Sequence, residues 1–307
     1  MCAMRIHAEP QSLQEPLAGG TAGASVVIEP MTAGRVHQPI EAMERAPGFF
    51  WRPKARGIGS TRTWVPCPSF LVRHPTAGKL LIDTGLHASI ADDPRHNFGT
   101  LLARFLPPEI EPGEDVASQL RGKGIEPREI RAVLMTHLHL DHASAIQDFP
   151  DSIFVLSSAE WEDAAVPSRP IFRGYRPAQY DFPFDYQTVD FEAEDEGAPI
   201  ESYGSFARTF DLFGDGSVRL AYTPGHSAGH VSVVLRLPRR DFVVGGDVVY
   251  TFNQLEGGPP QPLPRDLHNW RRSLKELQLF HRDNAYAIIT PGHEADFYEK
   301  LEDRYEE

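Results

Sequence analysis

Apolar positions along the chain fall into short compact runs separated by turn residues, with a few stretches at helical spacing. Phe70-Leu71-Val72 and Lys79-Leu80-Leu81-Ile82 flank a turn at residues 75–78 and predict a β-hairpin. Arg131–Met135 is a run of the kind that forms a buried strand, and Ile153–Leu156, Val218–Tyr222, Ser232–Leu235, Phe242–Val244 and Tyr286–Ile289 repeat it. Between Asp266 and Phe280, Leu267, Trp270, Leu274 and Leu277 recur three or four apart and predict one buried helical face. Asp115–Leu120, followed by Gly122 and Gly124, predicts a shorter helix with a glycine stop, and Ser157 or Ser158 caps another through Trp161. Strands and helices mix throughout, which predicts an α/β chain. Residues 167–205 are rich in Pro, Gly, Tyr and Phe without clear period and predict long loops near a cleft. Residues 1–23 combine Pro, Gly and small residues and predict a flexible tail, leaving 24–307 as a single domain.

Composition narrows the class. With 307 residues, 41% hydrophobic and 24% charged, the chain is neither disordered nor fibrous. Its longest apolar runs, such as Val231–Leu237, are broken by Ser or Arg and too short to span a bilayer, so no membrane partner is expected. The N-terminus lacks the basic start and apolar core of a signal peptide, which points to a cytoplasmic location. A net charge of −13 argues against nucleic acid and leaves a small molecule as the expected partner. The acidic run Glu192–Glu196 reads as a solvated loop. Only Cys2 and Cys67 are present, which excludes a cysteine-built zinc site, and Cys67 reads as a small buried hydrophobe.

Chemistry concentrates in Thr136-His137-Leu138-His139-Leu140-Asp141-His142, directly after a predicted strand. In extended backbone, residues two apart point the same way, so His137 and His139 can converge on one metal. Asp141 and His142 lie where the chain must turn and can face a second. Three further pieces each follow a predicted strand: Thr223-Pro224-Gly225-His226, Gly245-Gly246-Asp247 and Thr290-Pro291-Gly292-His293. Imidazole and carboxylate donors without thiolate suit Zn²⁺, with Mn²⁺, Fe²⁺ or Co²⁺ as alternatives.

This pattern, with Leu81-Ile82-Asp83-Thr84-Gly85 ahead of it, resembles the metal-binding signature of the metallo-β-lactamase superfamily from about Phe70 to His293. The resemblance implies an αβ/βα four-layer sandwich and two Zn²⁺ per chain. It assigns His137, His139 and His226 to the first zinc, Asp141, His142 and His293 to the second, and Asp247 as the bridge. The carboxylates and a bridging hydroxide would leave a residual positive charge, suited to polarising a carbonyl or phosphoryl oxygen. Asp83 would orient a ligand histidine or shape the turn before Gly85, and His230 reads as a packing or outer residue.

Fold and metals do not choose a substrate. Both cysteines lie far upstream of Asp247, unlike the β-lactamases with a zinc-binding cysteine. His139 stands where flavodiiron proteins carry glutamate, and the acidic balance does not fit the nucleases. Asp247-Val248-Val249-Tyr250, with Thr251 and Asn253 behind it, resembles the quorum-quenching N-acyl homoserine lactonases. That resemblance implies a hydrolase in which the metal-bridging hydroxide attacks the lactone carbonyl, Tyr250 stabilises the oxyanion and Asp141 passes a proton to the departing alkoxide. The acyl chain needs an apolar groove, for which Phe49, Phe50, Trp51, Phe98, Leu102, Phe105 and the aromatic loop 172–184 are candidates. Residues 39–53 are a candidate lid or oligomer contact, and lactonases of this kind are often homodimers. The alternatives are a hydrolase of thioesters (glyoxalase II type), aryl esters or phosphodiesters, and a non-catalytic metal-binding protein.

Overall fold

The computed structural model describes residues 6–45, 51–166, 173–193 and 199–307. Two β-sheets share one apolar interior. The first runs in the order β1 (Gln11–Ser12), β8 (Asp185–Val189), β7 (Ile153–Ser157), β6 (Ile130–Leu134), β4 (Gly78–Ile82), β3 (Arg62–His74), β2 (Val27–Pro39), β5 (Pro108–Glu109). The second runs β14 (Ile288–Thr290), β13 (Asp241–Val244), β12 (Val231–Arg236), β11 (Val218–Tyr222), β10 (Phe206–Asp211), β9 (Ile200–Tyr203).

Side-chain alternation separates the layers. Phe70, Val72, Leu80, Ile82 and Leu134 of the first sheet meet Leu220, Val233, Leu235, Phe242 and Val244 of the second. Their sequence neighbours point outward. Leu71, Leu81 and Val133 pack under Val116 and Leu120 of the helix Val116–Gly122 and Trp161 of the helix Ser158–Ala165. Ala221, Val234 and Val243 pack under Trp270, Leu274 and Leu277 of the helix Leu267–Asp283. Helix, sheet, sheet, helix is the αβ/βα sandwich that the motifs implied. Ser157 caps its helix as read, and Asp115 and Asp266, read only as the first residues of their helices, likewise accept from a first-turn amide.

The hairpin and the six other strands read from apolar runs are present, within a residue or two at their ends except that the first hairpin strand, read at Phe70–Val72, already begins at Arg62. Two expectations are corrected. Within residues 167–205, read as loop, Asp185–Val189 pairs with β7 and Ile200–Tyr203 with β10. Asp185 is exposed while Tyr186 is buried, and β9 is half covered at best, so neither carries a long apolar run. The described part of the tail, from residue 6, is stitched down. Gln11 and Ser12 pair with Gln187 and Thr188, the Leu17 amide donates to the Leu212 carbonyl at 2.7 Å, and Leu13 and Leu17 pack on the inter-sheet core. Two leucines and a two-residue strand have no period to betray them. Among the described residues no helix is long and apolar enough to cross a membrane.

Candidate metal centre

Every motif singled out for chemistry leaves the C-terminal end of a strand. Asp83 follows β4, residues 135–142 follow β6, and His226, Asp247 and His293 follow β11, β13 and β14. β4 is parallel to β6, and β13 to β14; β11 and β13 both run antiparallel to β12 between them. The strand ends that carry the candidate ligands therefore gather at one edge of each sheet. The Val231 amide donates to the Thr136 carbonyl at 2.9 Å and joins the two edges. Gly225 has φ +129°, and a Cβ there would collide with the backbone of Trp270 at the start of the long helix.

The seven predicted ligands meet in three overlapping groups: His137, His139 and His226; His137, His142 and Asp247; Asp141, His142 and His293. Within each group the donor atoms lie within 4.8 Å of one another. His226 Nε2 is 2.9 Å from His139 Nδ1 and 3.3 Å from Asp247 Oδ2. On the other side His142 Nε2 is 3.4 Å from Asp247 Oδ1, and His293 Nε2 is 3.3 Å from Asp247 Oδ2 and 3.7 Å from Asp141 Oδ2. Asp247 thus stands between the two halves.

An outer ring orients these groups. Asp83 takes the Thr136 amide on Oδ1 and the Thr136 hydroxyl on Oδ2, and Oδ2 also faces His142 Nδ1 at 2.8 Å. Its φ of +54° is left-handed, a region that Asp tolerates better than most residues. The Pro66 carbonyl faces His293 Nδ1 at 3.0 Å. His230 Nε2 accepts from the Asp247 amide at 2.9 Å, which makes it a brace of the Asp247 turn and not a donor to the centre.

Sequence reading missed Glu160. This buried carboxylate accepts from the Leu138 amide, the Ser227 hydroxyl and the Gly229 amide, pinning the two histidine-bearing loops to one helix. Its only signal was its place after the Ser157 cap, where an acidic residue is common for helical reasons alone. Gln261 was also missed; its amide lies 2.7 Å from His226 Nδ1.

Burial holds the His137, His139 and His226 imidazoles below their ordinary pKa, with neighbouring histidines adding to it at His137, so they are neutral, as a metal requires. Burial acts the same way on His142 and His293, but the surrounding carboxylates together outweigh it and raise both: Asp247, Asp83 and Asp141 at His142, and Asp247 and Asp141 at His293. Burial would raise Asp247; the facing His293, His142 and His226 hold it far below the carboxylate range. Burial also raises the Cys67 thiol, so Cys67 is a neutral core residue, as its sequence context suggested.

The donor set fits divalent metal. His137 Nε2, His142 Nε2 and Asp247 Oδ1 are buried and make no hydrogen bond among the described residues, whereas buried polar atoms ordinarily have a partner. All seven side chains offer nitrogen or oxygen, and none competes for thiophilic ions.

Tyr250 lies over this set. Its ring centroid is 5.1 Å from that of His293 and 5.6 Å from that of His226, and its hydroxyl is 3.4 Å from His226 Nδ1. A cleft of about 460 Å³ opens onto His139, His226 and Tyr250, with Tyr175, Leu263, Arg173 and Arg265 on its walls. Among the described residues, the apolar groove expected from sequence is not built as proposed. Phe98 and Leu102 are core residues, Phe105 is 58% exposed, and of the loop 172–184 Tyr175 reaches the cleft while Tyr180 is fully buried. Phe49, Phe50, Phe172 and the Trp51 side chain lie outside the described residues.

Residues 62–293 match the metallo-beta-lactamase superfamily. The chain is similar to the N-acyl homoserine lactonase AttM of Agrobacterium fabrum, 29% identical over 234 residues covering 76% of this chain and 83% of that one. It is 30% identical to the protein of the same name from Azorhizobium caulinodans over 237 residues, again 76% and 83%. In fold it resembles an N-acyl homoserine lactone hydrolase solved with N-hexanoyl-L-homoserine at its catalytic metal centre, at 20% identity and a TM-score of 0.72 over 91% of this chain and 97% of that one. With candidate ligands at strand ends, sandwich and sequence match in agreement, the chain belongs to the metallo-beta-lactamase superfamily.

Proposed function

We propose that this protein is a dinuclear zinc hydrolase that opens the lactone ring of N-acyl homoserine lactones. The observation that carries the reading is Tyr250, a phenol lying across His226 and His293 at the floor of the cleft. The names of the AttM relatives point the same way.

His137, His139 and His226 would hold one ion, Asp141, His142 and His293 the other, with Asp247 between them. Ions held there would polarise the lactone carbonyl and acidify a water from a pKa of about 15.7 toward 7. The chain's own residues do the rest. Burial and the Asp247 carboxylate push the Tyr250 phenol well above its usual pKa, so it keeps its proton and donates a hydrogen bond to the oxygen on which charge develops. Asp141, whose carboxylate is 16% exposed at the edge of the set, would take the proton that the attacking water oxygen gives up and pass it to the departing alkoxide. Arg173 and Arg265 share Asp163 at the cleft wall and frame the approach of the acyl group.

The test is acid release at constant pH from a series of acyl homoserine lactones, with the zinc-loaded protein. Turnover that His137→Ala abolishes and that varies with chain length supports the reading. No ring opening by protein that holds its metals overturns it and turns the search to thioesters and phosphodiesters.

A further inference from the structure

Gln261 is a buried amide in a proline-rich turn, Pro259-Pro260-Gln261-Pro262, and three observations give it a task. Its Nε2 lies 2.7 Å from Nδ1 of His226, nearer than the Tyr250 hydroxyl at 3.4 Å. Its Oε1 is buried and without a hydrogen-bond partner among the described residues. The far side of the His226 ring, Nε2, faces His139 Nδ1 and Asp247 Oδ2, where a metal ligand must present a lone pair.

An imidazole that gives its Nε2 lone pair to a metal carries its proton on Nδ1. Two N–H groups would then face each other across 2.7 Å. Turning the amide over exchanges two atoms of nearly equal size and removes both difficulties, since Oε1 gains a donor and Nδ1–H gains an acceptor. We infer that Gln261 is a positioning residue of the metal centre: its side-chain oxygen accepts the Nδ1 proton of His226 and fixes the tautomer that offers Nε2 to the ion. The inference rests on His226 being a metal ligand, as in the function proposed above.

The turn is built to hold that amide. Prolines on both sides of Gln261 restrict the backbone, the Pro260 carbonyl accepts from the Arg45 amide at 2.8 Å, and the Arg265 and Asp266 amides donate to the carbonyls of His226 and Gly225. The loop is therefore bonded to Arg45 just before the side-chain contact and to the ligand segment just after it. With Gln261 as the acceptor, the Tyr250 hydroxyl is not needed by His226.

The test compares zinc affinity, by competition with a chelator, in the parent protein, Gln261→Met, Gln261→Glu and Tyr250→Phe. Gln261→Met is expected to bind zinc 10–100-fold more weakly, Gln261→Glu to retain the parent affinity or exceed it, and Tyr250→Phe to be unchanged. Equal affinity in the Met variant, or equal losses in Met and Glu, overturns the assignment. A long-range ¹H–¹⁵N spectrum of the zinc-loaded parent needs no variant: protonation of His226 at Nδ1 is expected, and at Nε2 overturns it. Neither readout uses a lactone, so loss of the lactonase reading leaves these outcomes interpretable.

Discussion

Nδ1 of His142 lies 2.8 Å from Oδ2 of Asp83, although the two residues are 59 positions apart in the chain. Asp83 closes β4 and His142 ends the loop after β6, so the parallel pairing of those strands creates the contact. The carboxylate fixes which imidazole nitrogen turns inward. Asp83→Asn keeps the shape and tolerates the left-handed backbone, yet gives up the charge. It is expected to weaken metal binding about 10–100-fold while the protein stays folded, as read by chelator competition and circular dichroism. Unchanged affinity would reduce Asp83 to a turn former.

Glu160 offers a test of stability. Its two oxygens take three donors, from Leu138, Ser227 and Gly229. Glu160→Gln replaces one oxygen with an N–H₂ that must face a donor. The expected loss is about 1–3 kcal/mol, measured by urea unfolding of the metal-free protein. A loss well under 0.5 kcal/mol would mean that the two loops are held by other contacts.

Tyr250→Phe removes one hydroxyl and leaves the ring against His226 and His293. If the phenol stabilises the oxyanion, kcat on a lactone falls about 10²-fold or more with zinc content unchanged. A parent-like kcat would return Tyr250 to the status of a packed aromatic.

Acid stability has a separate source. Burial would raise Asp215, but donors on Ser217, the Thr21 amide and the facing His74 outweigh it and hold its pKa at about 2. Its unfolded value is about 3.9. The folded pKa is the lower one, so this contribution, on the order of 2 kcal/mol, is complete above about pH 4 and is lost as pH falls toward 2. Asp215→Asn should flatten the acid side of the unfolding curve over that window. A slope equal to the parent's would place the acid sensitivity elsewhere.

Metal removal should be visible in the same unfolding experiments. An ion that binds the folded chain alone stabilises it by mass action, so dialysis against a chelator is expected to lower Tm, and added zinc to restore it. A Tm indifferent to chelator would argue that the centre does not hold metal in solution.

Sequence alone determined much here, because some structure is local. Apolar runs of three to five residues reported the strands buried on both faces, and helix starts at Asp115, Ser157 and Asp266 were legible because start signals act within one turn. His137, His139, Asp141 and His142 were legible together because a single strand exit carries them all. What lacked local period was invisible: Asp185–Val189, Ile200–Tyr203 and the Leu13 and Leu17 anchors take their order from neighbours far along the chain. The same holds for the support of the site. Glu160 and Gln261 are ordinary polar residues in their own segments, and tertiary packing alone sets the first beneath two loops and the second against His226. Two of the groove candidates were misplaced for a related reason, since Phe98 and Leu102 are apolar enough for either a cleft or a core, and only three-dimensional packing decided that they belong to the core.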